Sequence, residues 1–275
     1  MKAIARALAD ATRKLSETSD TARLDAELLM AEALHIDRDR LILAPPDRAV
    51  PKRFWSMLSR RMNGEPVAYI TGRRAFWNID LHVGPGVLVP RPDSEVLISS
   101  AIEHFEGGEG PRRILDLGTG PGTLLLAALD IWPNSNGVGI DVSRRAMSYA
   151  AANARRLGLE RRVVFRRGDW AEGLDEKFDL ILCNPPYIAE GAQLGPGVRE
   201  FEPDEALFAG AQGLDAYRAL APQLPKLLNE NGLAAVEIAP DGAGAVTSLL
   251  ARDGLRAAIA NDLADRPRVV LLTWN

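Results

Sequence analysis

Apolar residues recur at helical spacing through the first part of the chain: Ile4, Leu8, Ala11 and Leu15, then Leu24, Leu28 and Ala31, then Phe54, Met57, Leu58 and Met62. This spacing predicts three amphipathic helices whose stripes form the core of a small bundle. Ser19 and Asp20 stand where caps for the second helix belong, Pro51 opens the third, and Asn63-Gly64 ends it. From Ala75 the period changes. Phe76, Trp77, Ile79, Leu81 and Val83 read as short paired strands, followed by Gly84-Pro85-Gly86. Pro90-Arg91-Pro92-Asp93-Ser94-Glu95 then starts a helix, with a polar residue and Glu95 placed for capping ahead of Val96, Leu97 and Ile98.

Beyond the Gly-rich stretch at 107–110, strands and helices alternate. Strands are expected at 113–117, 137–141, 163–167, 180–183, 234–238, 255–260 and 269–273, with helices at 123–130, 144–157 and 216–228. Such alternation predicts a doubly wound α/β sheet, largely parallel, with ligands bound at the carboxyl ends of its strands. The organisation read from the pattern is a helical domain at 1–74, a β-hairpin connector at 75–90 and a catalytic domain at 91–275.

Composition narrows the chemistry. The chain has 275 residues, 47% hydrophobic and 25% charged, enough to bury a core without covalent staples. Its single cysteine, Cys183, excludes an intrachain disulfide and a Cys-rich zinc site. His35, His82 and His104 lack metal-ligand spacing, so no metal is expected. Charges at Lys2 and Arg6 interrupt the N-terminal segment, and no apolar run nears the roughly 20 residues that span a bilayer. A soluble cytoplasmic protein with no membrane partner is the expectation. Net charge is −4, with 14 basic against 11 acidic residues in 1–90 and 19 against 26 in the remainder. The acidic second part argues against a dedicated nucleic-acid binder.

Candidate chemistry gathers at the strand ends. The first strand of the alternation runs into Asp116-Leu117-Gly118-Thr119-Gly120-Pro121-Gly122 and then an apolar helix, a turn in which backbone can approach a nucleotide-like ligand. Its G-x-G-x-G spacing differs from the G-x-G-x-x-G of dinucleotide enzymes, and the Lys-Ser/Thr of phosphate loops is absent. Asp141 ends the second strand, 21 residues beyond Gly120, where a carboxylate can accept from both hydroxyls of a ribose. Asp169-Trp170 follows the third strand and suits an adenine amino group and ring. Alone, each has a plainer reading: a tight turn, a helix cap, a core tryptophan. Together, on successive strand ends, they favour a nucleoside. Asn184-Pro185-Pro186-Tyr187 follows the apolar strand 180–183. Its prolines remove two amide donors, so the carbonyls of Asn184 and Pro185 and the Asn184 side-chain oxygen form an acceptor cluster for a planar NH2 group, with Tyr187 available to pack on its plane.

Asp116–Gly122 resembles the first motif of class I S-adenosylmethionine-dependent methyltransferases, and 184–187 is similar to the NPPY signature of those acting on amide or exocyclic amino nitrogens. Pro66-Val67-Ala68-Tyr69-Ile70-Thr71-Gly72, Phe76-Trp77, the run from Pro85 to Glu95, Glu202-Pro203 and Gly213-Leu214-Asp215-Ala216-Tyr217-Arg218 resemble the PrmC/HemK family of protein-glutamine N5-methyltransferases. The resemblance covers essentially the whole chain. It implies a Rossmann-like, seven-stranded, mostly parallel sheet with a small N-terminal all-α domain that helps dock the substrate protein. The implied cofactor is S-adenosylmethionine, with Gly118, Thr119, Gly120, Pro121 and Gly122 around its methionine part, Asp141 at its ribose, and Asp169 and Trp170 at its adenine. Asn184 and Pro185 become the catalytic pair, with Asn184 also against the cofactor, and Asn184, Pro185, Pro186 and Tyr187 hold the substrate. That substrate is the Gly-Gly-Gln glutamine of class 1 peptide chain release factors, and nothing demands more than a monomer. One segment departs from the family pattern: Glu237-Ile238-Ala239-Pro240-Asp241-Gly242 lacks the Gly and Gln that often follow the strand-ending Glu. An adenine-N6 methyltransferase on DNA or RNA, or a silent cofactor-binding scaffold, are the competing readings, and an NAD-linked oxidoreductase is the weakest.

Overall fold

The computed structural model describes residues 3–275, so Lys2, counted above among the N-terminal charges, lies outside the described residues. The chain forms two compact units: residues up to Arg73 with Leu194–Glu202, and Arg74–Gln193 with Pro203–Asn275. The segment read as a separate connector lies wholly within the second unit, and its Phe76, Leu81 and Val83 are buried.

The first unit contains α1 (Ala3–Leu15), α2 (Ala22–Leu34), α3 (Arg38–Leu43), α4 (Lys52–Met62) and α5 (Val67–Thr71). Ile4, Ala11, Leu15, Phe54 and Leu58 form its core with residues of α2. The stripe expected on α2 is displaced. Leu24 is 40% exposed, whereas Ala26, Leu29 and Met30 are fully buried. Since α2 packs against α1, α3, α4 and α5, it is covered on several sides and a single-stripe reading does not suit it. Ser19 and Asp20 do not cap it either: Thr21 is the N-cap, and the Ser19 hydroxyl donates to the buried Asp25 carboxylate (2.8 Å), which also pairs with Arg61 (2.7 Å).

A hairpin, β1 (Arg73–Phe76) and β2 (Ile79–His82), begins at the last residue of the first unit's leading segment and lies otherwise in the second unit. Helix α6 (Glu95–His104) leads into β3 (Arg113–Leu117), α7 (Thr123–Ile131), β4 (Asn136–Asp141), α8 (Arg144–Arg156), β5 (Val163–Arg167) and β6 (Phe178–Cys183). After α9 (Val198–Phe201), which groups with the helical unit, come α10 (Asp215–Leu220), α11 (Leu224–Leu227), β7 (Leu228–Glu237), α12 (Ala243–Leu250), β8 (Leu255–Asn261) and β9 (Pro267–Trp274). The helix expected over 216–228 is broken into α10 and α11, because Pro222 and Pro225 lack the amide a continuous helix requires. Strand β7 starts earlier than its apolar run: Leu228 pairs with Phe178, the register shifts, and pairing resumes at Leu180 with Leu233. The polar Asn229, Glu230 and Asn231 hide that start from a hydrophobicity reading.

Seven strands lie in the order β5-β4-β3-β6-β7-β9-β8, parallel except for the antiparallel β9. From β3 the chain builds outward to β4 and β5, then returns to lay β6 on the other side of β3. That reversal leaves a crevice at the carboxyl ends of β3, β4 and β6. Leu115, Leu117, Ile140, Ile181 and Val236 pack in one core beneath it.

Candidate active site

The glycine loop begins where β3 ends. Gly118 has φ +71° and both it and Thr119 donate backbone N–H to the Ile140 carbonyl (2.9 Å each), binding the turn to the end of β4. Gly120 N–H donates to Asp141 Oδ2 (2.8 Å), and Ser143 N–H to Asp141 Oδ1 (2.8 Å). From behind, the buried Asn153 amide donates to the Pro121 carbonyl (2.9 Å) and the His82 carbonyl (3.0 Å) and accepts from His82 N–H (2.7 Å). Loop and hairpin are thereby held by one side chain.

A cavity of about 270 Å³ opens over this loop. Gly118, Thr119, Gly120, Pro121, Asp141, Asp169, Trp170, Asn184 and Pro186 line it, brought together from four strand ends. Gly122, Pro185 and Tyr187 do not line it. Gly122 is the N-cap of α7, and a Cβ there would stand 2.8 Å from Leu126 Cδ1, so the helix start explains this glycine. Asp169 is exposed at the rim, while Trp170 sits half-buried at φ +50°, a left-handed conformation rare for a bulky residue, with its indole 3.7 Å from where a Gly118 Cβ would be.

Two carboxylates in this floor are electrostatically unusual. Asp116 Oδ2 accepts from the Thr119 hydroxyl (2.6 Å) and from Leu125 N–H (3.3 Å), but Oδ1 is buried with no partner. Burial pushes this carboxyl up to about 7 against those two hydrogen bonds, with the charge of Asp141 adding to the rise. Asp141 is also raised by burial, which outweighs its two backbone donors. An orphaned acceptor and a second carboxylate on the cavity wall suit a cationic ligand that carries hydroxyls.

Asp116 makes a pH prediction. Its folded pKa lies above the unfolded value, so the folded state holds the extra proton and stability declines as pH rises from about 4 toward 7. Three units correspond to at most about 4 kcal/mol. Without ligand, Asp116→Asn is expected to gain stability relative to wild type across that interval, and a pH-independent difference in urea midpoints would refute it.

At the end of β6 the Asn184 side chain lies at the cavity wall. Its Nδ2 donates to the Ser94 hydroxyl (2.9 Å), leaving Oδ1 as an acceptor for a bound group. The Tyr187 hydroxyl donates to Glu237 Oε1 (3.3 Å) at the end of β7. Glu237 is 1% exposed; burial raises its carboxyl to about 7, while Ser94, Arg268 and Tyr187 restrain the rise. Backbone pairing of Ile188 with Leu207 and Ala209 (2.9 Å each) continues the ordering past the tetrapeptide. At Gly213, φ is +70° and a Cβ would stand 2.3 Å from the Tyr187 carbonyl oxygen. Gly213→Ala is therefore expected to cost about 1–2 kcal/mol from strain alone and to shift the tetrapeptide. A melting temperature within a degree of wild type with unaltered turnover would refute the contact.

Asp116, Ser94 and Glu237 were given no site role from the sequence. Asp116 stands within the motif itself and Glu237 interrupts an apolar strand, so both left a signal. Ser94 lies in the run from Pro85 to Glu95 but its local pattern reads as a helix cap, yet it makes no cap hydrogen bond, and Glu95 accepts from Trp77 N–H (3.0 Å) instead of closing a capping box.

Comparison with known proteins gives two family matches: the PrmC N-terminal domain over residues 6–72 and a methyltransferase domain over 111–239. A release factor glutamine methyltransferase of Rhodospirillum rubrum is 44% identical over 255 residues, covering 90% of this chain and 78% of that protein. Among solved structures, a methyltransferase from Pyrococcus furiosus superposes with a TM-score of 0.55 at 19% identity, covering 80% of this chain and 98% of that one. The 16S rRNA N2 G1207 methyltransferase of T. thermophilus, solved with AdoMet and guanosine, gives 0.52 at 20% identity over 74% of this chain and 50% of that one. At such identities the structural likeness concerns the fold.

Proposed function

The chain belongs to the release factor glutamine methyltransferase family, and from that premise we propose that it methylates the N5 amide nitrogen of the Gly-Gly-Gln glutamine in class 1 peptide chain release factors, using S-adenosylmethionine. The cofactor supplies a methyl group activated by a positively charged sulfur. Asp116 Oδ1 offers the orphaned acceptor that its ammonium group requires, and Asp141 offers carboxylate lone pairs to its ribose hydroxyls. The backbone of Gly118 to Pro121 would hold its methionine part, and Asp169 and Trp170 would take its adenine.

An amide nitrogen is a poor nucleophile because its lone pair is delocalised into the carbonyl. Asn184 Oδ1, on the cavity wall, accepts one of its hydrogens and so orients the nitrogen and favours charge developing on it, and one amide proton is lost to solvent as the nitrogen takes the methyl group; Pro185, which does not line the cavity, has no such contact to offer there. Pro186 walls the cavity, and Tyr187, whose hydroxyl donates to Glu237, holds the tetrapeptide in place. The observation that carries this reading is the Asn184 amide: with Nδ2 committed to Ser94, Oδ1 is the end left for a donor. Ile42, Leu43 and Trp55, exposed apolar residues of the helical unit, support a docking role for that unit. Every residue assigned here is in one chain, so a monomer suffices, and a translation factor as substrate puts the reaction in the cytoplasm.

The test is transfer of labelled methyl to a purified class 1 release factor, its Gln→Ala variant in Gly-Gly-Gln, and duplex DNA. Label on the wild-type factor alone is expected. Label on DNA would favour an adenine substrate, and no label despite cofactor binding would favour a silent scaffold.

A further inference from the structure

We propose that Asn153, where two lines of contact on α8 cross, is a positioning residue for the cofactor: it sets the glycine loop and the segment that follows the hairpin at the separation the cavity requires. The inference rests on the reading of this cavity as the S-adenosylmethionine site and is independent of which nitrogen receives the methyl group.

Every fourth residue of α8 meets every second residue of the chain leaving β2. The Asn153 amide accepts from His82 N–H (2.7 Å) and donates to the His82 carbonyl (3.0 Å). A Cβ at Gly84 would overlap the Tyr149 hydroxyl oxygen, and one at Gly86 would overlap Arg145 Cδ. Residues 145, 149 and 153 share one helix face. The stretch between them rises about 12 Å, a distance that four residues of extended chain also span. Gly86 has φ +90° and needs glycine for its backbone as well. Gly84 does not, so the Tyr149 hydroxyl is what excludes a side chain there.

A second line on the same helix meets the glycine loop. Ala146 lines the cavity, a Cβ at Gly122 would stand 3.4 Å from Ala150 Cβ, and the Asn153 amide donates to the Pro121 carbonyl (2.9 Å). Asn153 is the residue the two lines share. It is fully buried, and both ends of its amide are engaged with backbone: Nδ2 with two carbonyls, Oδ1 with one N–H. Turned by half a revolution, the amide would set its oxygen against carbonyls and its NH2 against an N–H, so these three groups admit one orientation. The elements it joins line the same cavity, Gly118 to Pro121 from the loop and Gly86, Val87 and Leu88 from the segment. A ligand touching both senses their separation: a gap of about 0.5–1 Å forfeits about a quarter to a half of the dispersion attraction across it.

Asn153→Leu, Gly84→Ala and the double variant Gly84→Ala/Tyr149→Phe are compared with wild type by calorimetry with S-adenosylmethionine and by steady-state methyl transfer. Asn153→Leu keeps the branched outline and removes all three hydrogen bonds. It is expected to raise the cofactor Kd and KM about 10–100-fold, with kcat at saturating cofactor within about threefold of wild type. Gly84→Ala pushes the segment away from Tyr149 and should weaken cofactor binding at least about fivefold. Adding Tyr149→Phe removes the obstructing oxygen and leaves the nearest ring atom 3.4 Å from the new methyl group, so the double variant should return to within about twofold of the wild-type Kd. Hydrogen exchange of the ligand-free proteins requires no turnover. Amides in 118–122 and 82–90 should exchange at least about tenfold faster in Asn153→Leu, with those of β6 and β7 unchanged. An Asn153→Leu affinity within about twofold of wild type, no recovery in the double variant, or exchange accelerated uniformly across the sheet overturns the proposal. If wild type binds S-adenosylmethionine but transfers no methyl to a release factor, the functional reading fails and the affinities still decide the role of Asn153. If Asn153→Leu does not fold, Gly84→Ala and its double variant decide.

Discussion

Asn184→Ala is expected to reduce methyl transfer about 10²–10³-fold while cofactor affinity stays within a few-fold. The substitution removes the acceptor Oδ1 from the cavity wall and leaves the Ser94 hydroxyl without its donor, but it touches neither the glycine loop nor Asp141. An interaction made chiefly as charge develops on the substrate nitrogen lowers kcat and leaves ground-state binding alone. Calorimetry with the cofactor beside single-turnover methyl transfer separates the two quantities. Equal losses in both would mean that Asn184 holds the cofactor rather than orienting the acceptor amide.

The opposite pattern is expected at Asp141. Removing a carboxylate hydrogen-bonded to ligand hydroxyls costs about 1.5–3 kcal/mol, or about 10–100-fold in affinity, so Asp141→Ala should weaken cofactor binding to that extent. Part of the loss comes through the protein, because the N–H groups of Gly120 and Ser143 lose their acceptor as well. Asp141→Asn separates the contributions: an amide oxygen still accepts from one backbone donor, so its loss should be smaller, and turnover at saturating cofactor should approach wild type. Unchanged affinity in Asp141→Ala would remove the ribose from this residue.

Much of the architecture was legible along the chain because it is local. Gly118 and Gly120 follow an apolar strand, and the glycine loop there has the positive φ that such a turn requires. The tetrapeptide at 184–187 follows β6, so its place at the carboxyl edge of the sheet comes from chain order alone. Where the reading failed, the competing influence was a neighbour in space. Helix α2 hides more than one face because four helices surround it. The stretch read as one helix at 216–228 breaks at its prolines and hands Leu228 to a strand.

The sequence by itself determined the order of elements, the strand ends that bear chemistry, and the pairing of a nucleoside loop with an acceptor for an NH2 group. Those properties follow from periodicity, from glycine and proline stereochemistry, and from residues adjacent in the chain. Only the tertiary structure decided what each polar atom does. Ser94 reaches Asn184 across 90 positions and Tyr187 reaches Glu237 across 50, so a residue placed like a helix cap contacts the Asn184 amide, and the Tyr187 hydroxyl ties the tetrapeptide to the end of β7. Asp116 Oδ1 is left without a partner because the Thr119 hydroxyl and the Leu125 amide both serve its other oxygen. A side chain's type sets which hydrogen bonds it can make, but whether a carboxylate is satisfied, or which end of an amide faces a cavity, depends on groups that only folding brings within hydrogen-bonding distance.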